Sequence, residues 1–141
     1  MKKLDAVIPA RGGSKGVPRK NIKLLDGYPL IAYSIQCCLL SELIDRVYVS
    51  SEDGEIIEVA SRYGAEIPFV RPQKFARDDS TDNQVLNHFF ENVGCEEVVF
   101  IRPTTPLRDP SKIDECISNY NTDWKHRCSG IRSMHELPES P

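Results

Sequence analysis

Between Arg11 and Asn21 the chain reads Arg11-Gly12-Gly13-Ser14-Lys15-Gly16-Val17-Pro18-Arg19-Lys20-Asn21, with three glycines and four cations in eleven residues. Glycines let a backbone turn several N–H groups toward one anion, and arginine and lysine add charge-assisted hydrogen bonds to phosphate oxygens. A nucleoside triphosphate suits such a loop. Two familiar phosphate-loop spacings are absent: Gly12 and Gly13 open no Walker A sequence, and no G-x-G-x-x-G occurs in the loop. The plain alternative is an exposed basic turn. The position of the loop, directly after an apolar strand, favours anion binding. Asn21 adds an amide, which can both donate to and accept from a base edge or a ribose hydroxyl. Arg102 could pair bidentately with a carboxylate.

The elements that must position these groups alternate. Residues 4–8 read as a short apolar strand ending at Pro9. Residues 29–40 read as a helix, apolar nearly all round and hence well buried. A second strand is expected at 46–50. A helix follows at 53–63, with Ile56, Ile57 and Ala60 on one face and Gly64 ending it. A third strand is expected at 66–70, stopped by Arg71-Pro72. The helix at 81–93 carries Leu86, Phe89, Phe90 and Val93 on one stripe, and Ser80, Thr81 and Asp82 are candidate caps. Residues 97–101 read as a fourth strand covered on both faces. Asp109-Pro110 opens a helix with Ile113, Cys116, Ile117 and Tyr120 in line, and 127–134 is a weaker fifth strand. The pattern predicts one α/β domain over 1–141: a mostly parallel, Rossmann-like sheet with helices on both faces. Ligands of such sheets sit beyond the carboxyl ends of the strands. Chemistry is therefore expected in segments 10–21, 50–53, 71–82 and 102–109.

Composition narrows the classes. The chain has 141 residues, 40% hydrophobic and 28% charged, with a net charge of −3. That mixture excludes disorder. No run reaches the ~18 apolar residues of a membrane span, and no secretory signal pattern is seen. The acidic balance argues against a nucleic acid polymer as partner. The five cysteines (Cys37, Cys38, Cys95, Cys116, Cys128) form no C-x-x-C pair. They read as reduced thiols of a cytoplasmic protein rather than zinc ligands or disulfides. His88, His126 and His135 support no nucleophile constellation.

The loop as a whole, Ala10-Arg11-Gly12-Gly13-Ser14-Lys15-Gly16 with Pro18 and Lys20-Asn21-Ile22, closely resembles the N-terminal signature of the acylneuraminate cytidylyltransferases, the CMP-sialic acid synthetase family. The resemblance continues, in order, through Gly27-Tyr28-Pro29-Leu30-Ile31, Val49-Ser50-Ser51-Glu52-Asp53, Arg71-Pro72 with 78–82, and Arg102-Pro103-Thr104-Thr105-Pro106-Leu107-Arg108. It covers nearly the whole chain. The related Kdo enzymes usually carry a different first loop, so the sequence sides with the nonulosonate branch.

The resemblance implies a nucleotide-diphospho-sugar transferase type of fold. It also implies a reaction in which the anomeric hydroxyl of a nine-carbon 2-keto sugar acid attacks the α-phosphate of CTP, with Mg²⁺ as cofactor. It assigns Arg11 and Lys15 to the triphosphate as the catalytic cations. Ala10, Gly12, Gly13, Ser14, Asn21, Arg71, Ser80 and Asp82 join them in holding the nucleotide. Arg102, Thr104 and Thr105 fall on the sugar side. Arg19 and Lys20 would supply a general positive field, and Asp78 and Asp79 read as a solvated acidic turn or metal-associated residues. Two positions depart from the family: Asp82 stands where serine is common, and Arg102 where glutamine often stands. The family's metal-holding carboxylates are expected beyond Pro141, with none in this chain, and the family implies a homodimer. The resemblance also predicts a missing C-terminal part, and so weak or no turnover by these 141 residues. The competing readings are a catalytically inactive nucleotide-binding module and a transferase for Kdo, legionaminate or pseudaminate.

Overall fold

In the computed structural model, residues 1–124 and 129–133 are described. The centre is strand β1 (Leu4–Pro9), whose Ala6, Val7 and Ile8 are completely buried. A short antiparallel hairpin follows, β2 (Leu24–Leu25) and β3 (Tyr28–Pro29). Helix α1 (Leu30–Leu40) leads to β4 (Ile44–Ser50), and helix α2 (Gly54–Arg62) comes next. Helix α3 (Asp82–Val93), strand β5 (Val98–Phe100) and helix α4 (Pro110–Asn119) complete the order, and a π turn, Tyr120–Trp124, extends α4. The sheet is parallel in the order β4-β1-β5.

Alternation along β1 builds two cores. Leu4, Ala6 and Ile8 face one side, where Ile31, Ile35 and Cys38 of α1, Ile56 and Ala60 of α2, and Ile113 and Ile117 of α4 cover them. Val7 faces the other side, with Tyr48, Phe89 and the partly buried Phe69, Leu86, Phe90, Val93 and Phe100. Helices thus lie on both faces. Each fully buried side chain of this size contributes ~1.5–3 kcal/mol of transfer free energy.

Local chemistry sets the helix ends. Asp53 accepts from the Glu55 and Ile56 amides at the start of α2. Thr81 and Gln84 form a capping box on α3, and Asp109 caps α4 with Pro110 in its first turn. Gly64 and Gly94 take positive φ (101° and 76°) just beyond α2 and α3, where an L side chain would be strained. Asp114 of α4 reaches the α1–β4 connection, accepting from the Ser41 hydroxyl and from the Glu42 and Leu43 amides at 3.1 and 3.0 Å.

Three expectations change. The third strand shrinks to one parallel bridge, Glu66 with Tyr48; Pro68 has no N–H to extend a ladder. The β2–β3 hairpin was not expected. Asp26 (φ 50°) and Gly27 (φ 83°) make its turn, and Asp-Gly between apolar residues is the sequence signal for it. Residues 129–133 form no strand, and the rest of the expected fifth strand lies outside the described residues.

Candidate functional site

A cleft of about 270 Å³ opens beyond the carboxyl ends of β1 and β5. Its walls come from the loop after β1, the 71–82 segment and the loop after β5. Of the residues predicted to act, Arg11, Ser14, Asn21, Arg71, Ser80, Asp82, Arg102 and Thr104 all line it. Lys20 lines it as well. Lys15 stands at its edge, with its Nζ 3.8 Å from Asp78, a lining residue. Thr105 lines a neighbouring groove beside β5 instead.

Two backbone groups predicted to face a ligand are otherwise engaged. The Ala10 amide donates to the Ser50 carbonyl at 2.9 Å, continuing the β1–β4 ladder past the strand end, and Ala10 is fully buried. The Gly12 amide donates to Glu52 Oε1 at 2.5 Å. The chain doubles back over the end of β4 there. A Cβ on Gly12 would stand 2.7 Å from Asp53 Oδ2, so glycine serves a close approach at this point. Gly13 has open space around it and does not line the cleft. The Ala10 and Gly12 amides are thus not available to an anion, whereas the Arg11 side chain lines the cleft.

Arg19 does not point a general field at the cleft. It sits in the left-handed region (φ 54°) and grips Asp53 with two bonds, Nη1 to Oδ2 at 2.6 Å and Nη2 to Oδ1 at 2.8 Å, while Nη2 also meets Glu55. Those bonds, followed by the helix-cap amides, hold the Asp53 carboxyl down at about 2 against the opposing effect of its burial. The first loop is thereby tied to α2.

Arg71 is 4% exposed. Its Nε donates to Ser50 Oγ at 3.0 Å, its Nη2 to the Ser50 carbonyl at 2.5 Å, and its Nη1 to the Phe75 carbonyl at 3.3 Å. All three acceptors are neutral. Burial lowers its pKa, although an arginine stays protonated. The nearby Glu52 carboxylate partly offsets its charge, so an anion in the cleft would add to that compensation. Asn21 is also buried; its Nδ2 donates to the Arg11 carbonyl at 3.0 Å and its Oδ1 has no partner among the described residues.

The 71–82 segment closes the cleft. The Ser80 hydroxyl is spent on the segment itself, donating to the Lys74 carbonyl and accepting from the Arg77 amide. Asp82, the first residue of α3, pairs with Arg102 across the cleft, and the Arg102 guanidinium lies 5.5 Å from the centre of the Phe100 ring. Arg11 Nη1 meets Asp78 Oδ1 at 2.7 Å. Phe75 and Val85 give the cleft an apolar wall that the sequence reading missed. Pro72 ahead of the 3₁₀ turn Gln73–Phe75, which presents Phe75, is the available signal.

Among the described residues no three His, Cys, Asp or Glu side chains gather to hold a metal ion. The cleft carboxylates Asp78 and Asp82 are each engaged by arginine. These residues do not fit a resident divalent ion. No helix among them is long and apolar enough to cross a membrane.

The model of the cytidylyltransferase family matches residues 6–140, nearly the whole chain. The chain belongs to that family. It is 35% identical over 127 residues to an N-acylneuraminate cytidylyltransferase of Escherichia coli, covering 89% of this chain and 30% of that protein. It is 45% identical over 119 residues to a pseudaminic acid cytidylyltransferase of Campylobacter jejuni, covering 81% of this chain and 51% of that protein. The chain thus spans between 30% and 51% of the length of these two relatives. A solved CMP:2-keto-3-deoxy-manno-octonic acid synthetase complexed with CTP superimposes with a TM-score of 0.75 at 20% identity, over 86% of this chain and 48% of that one. That likeness shows the α/β fold.

Proposed function

We propose that the cleft is the nucleotide side of a cytidylyltransferase that activates a nonulosonic acid with CTP, giving the CMP-sugar and pyrophosphate. One observation carries the reading: Arg11, Asn21, Arg71, Ser80 and Asp82, from well-separated stretches of a family member's chain, converge on one cleft at the carboxyl end of a parallel sheet.

In this reading Arg11 and Lys15 neutralise the triphosphate while the sugar's anomeric oxygen bonds to the α-phosphorus and the bond to pyrophosphate breaks. Proximity and charge neutralisation are most of what such a transfer asks of a protein. Buried Arg71 adds positive potential from behind. Asn21, through its Oδ1, and Asp82 offer acceptors to a cytosine amino group or a ribose hydroxyl. Phe75 and Val85 supply the apolar surface. Arg102 takes the sugar carboxylate, with Thr104 beside it. A divalent ion would add neutralisation of the phosphates in a reaction of this class, but the described residues build no cage for one. The free buried thiols Cys37 and Cys38 suit a reducing cytoplasm.

Calorimetric titration with CTP, UTP, ATP and GTP tests the reading. We expect CTP to bind at least about tenfold more tightly than the purine nucleotides, about 1.4 kcal/mol. Equal binding of all four would reject the cytidine assignment.

A further inference from the structure

We propose that Asp78 is a specificity residue: a built-in competitor that occupies the two phosphate-neutralising cations until a polyanion displaces it. This rests on the reading of the cleft as a nucleotide site. Each oxygen of the Asp78 carboxylate faces a different cation of the first loop, Oδ1 to Arg11 Nη1 at 2.7 Å and Oδ2 to Lys15 Nζ at 3.8 Å. The carboxylate thus stands where the reading puts phosphate oxygens.

The segment that presents Asp78 is not loose. Arg71, buried at its start, holds both Ser50 and Phe75, and the Ser80 hydroxyl links Lys74 to Arg77 just before Asp78. The backbone is held while the Asp78 side chain, 58% exposed, is free to turn into water. A ligand that uses Arg11 and Lys15 must therefore first exchange with a protein carboxylate. A lone weak anion gains little by that exchange. A triphosphate brings several charged oxygens to the same two cations and wins it. The device raises the charge an entrant must carry, which is discrimination by an internal opponent rather than by a better contact.

Asp79 supplies the control. It carries the same charge one residue later and makes no ion pair among the described residues. Wild type, Asp78→Asn and Asp79→Asn are titrated calorimetrically with sodium tripolyphosphate, CTP and cytidine in low-salt buffer containing a chelator, which removes any metal contribution. We expect Asp78→Asn to bind tripolyphosphate and CTP about two- to five-fold more tightly, the worth of an exposed ion pair, and cytidine with unchanged affinity. Asp79→Asn shifts the anions by less than half as much on the logarithmic scale. Unchanged or weaker tripolyphosphate binding in Asp78→Asn overturns the proposal, as does an equal gain in Asp79→Asn, which would mark a general field effect. Tighter tripolyphosphate binding in Asp78→Asn, with no CTP preference in wild type, would instead sink the nucleotide reading and leave the competitor standing.

Discussion

On the β1–β4 side of the cleft, Arg71 is 4% exposed and its donors are used on Ser50 and Phe75, while Arg19 clamps Asp53 with Nη1 and Nη2. On the β5 side, Arg102 and Asp82 meet with about half of each side chain in water (52% and 51%), and Thr104 and Leu107 are exposed. On the first side the Arg71 bonds are buried and exchange with solvent only at a cost, the two-bonded Arg19–Asp53 clamp is partly buried (41% and 21% exposed), and the Arg11–Asp78 pair is the exchangeable contact. The second is held by a pair that water and salt can replace. Rigidity before binding lowers the cost of ordering a ligand. In the proposed function, the buried Arg71 anchor would make the β1–β4 side the more preorganised wall and the β5 side the more adjustable one.

The hardest blow to this contrast is Arg71→Ala. It takes the donor from the Phe75 carbonyl and from the Ser50 hydroxyl, leaves the Ser50 carbonyl with the Ala10 amide alone, and opens a void. Roughly 2–4 kcal/mol of stability should be lost, read as a lower urea midpoint. A loss below ~1 kcal/mol would mean that the locked side is not locked.

Acid tests the same side more gently. The Asp53 carboxyl, held at about 2 in the folded chain, titrates near ~3.9 when unfolded. A depressed folded value means that its stabilisation is fully present above the unfolded value and disappears as pH falls from about 4 toward 2. The side chain is 21% exposed, so solvent screening trims the effect to about 1–2 kcal/mol. Urea midpoints measured across that window should fall more steeply for wild type than for Asp53→Asn; parallel curves would remove Asp53 from the clamp.

Arg102→Ala should show the smallest effect on the fold. An exposed pair of this kind shifts unfolding by no more than ~0.5 kcal/mol. A larger shift would make the β5 side as structural as the other and erase the distinction.

Much of this frame was legible in advance. The apolar run before Pro9, the cap at Thr81, the Asp109-Pro110 helix start and Gly64 after α2 are local signals, and local signals survive into the fold. The third strand was misread because an apolar stretch was counted while Pro68 was not. The hairpin was missed although Asp26-Gly27 announces it. In the cleft, residue types picked out most of the wall. What each group bonds to could not be read, since Arg19 with Asp53, Gly12 with Glu52 and Arg11 with Asp78 are partners far apart in the chain. A basic residue in a glycine-rich loop looks the same in sequence whether it greets a ligand or ties down a neighbouring helix.

The central place of β1 also bears on how the molecule is made. It is made before both of its neighbours, β4 and β5, and the second is the last of the described strands. Until then Ala6, Val7 and Ile8 belong to a strand with one raw edge, the kind of surface that invites wrong pairing. Nascent chains of this protein therefore need shielding at β1 until β5 has been made.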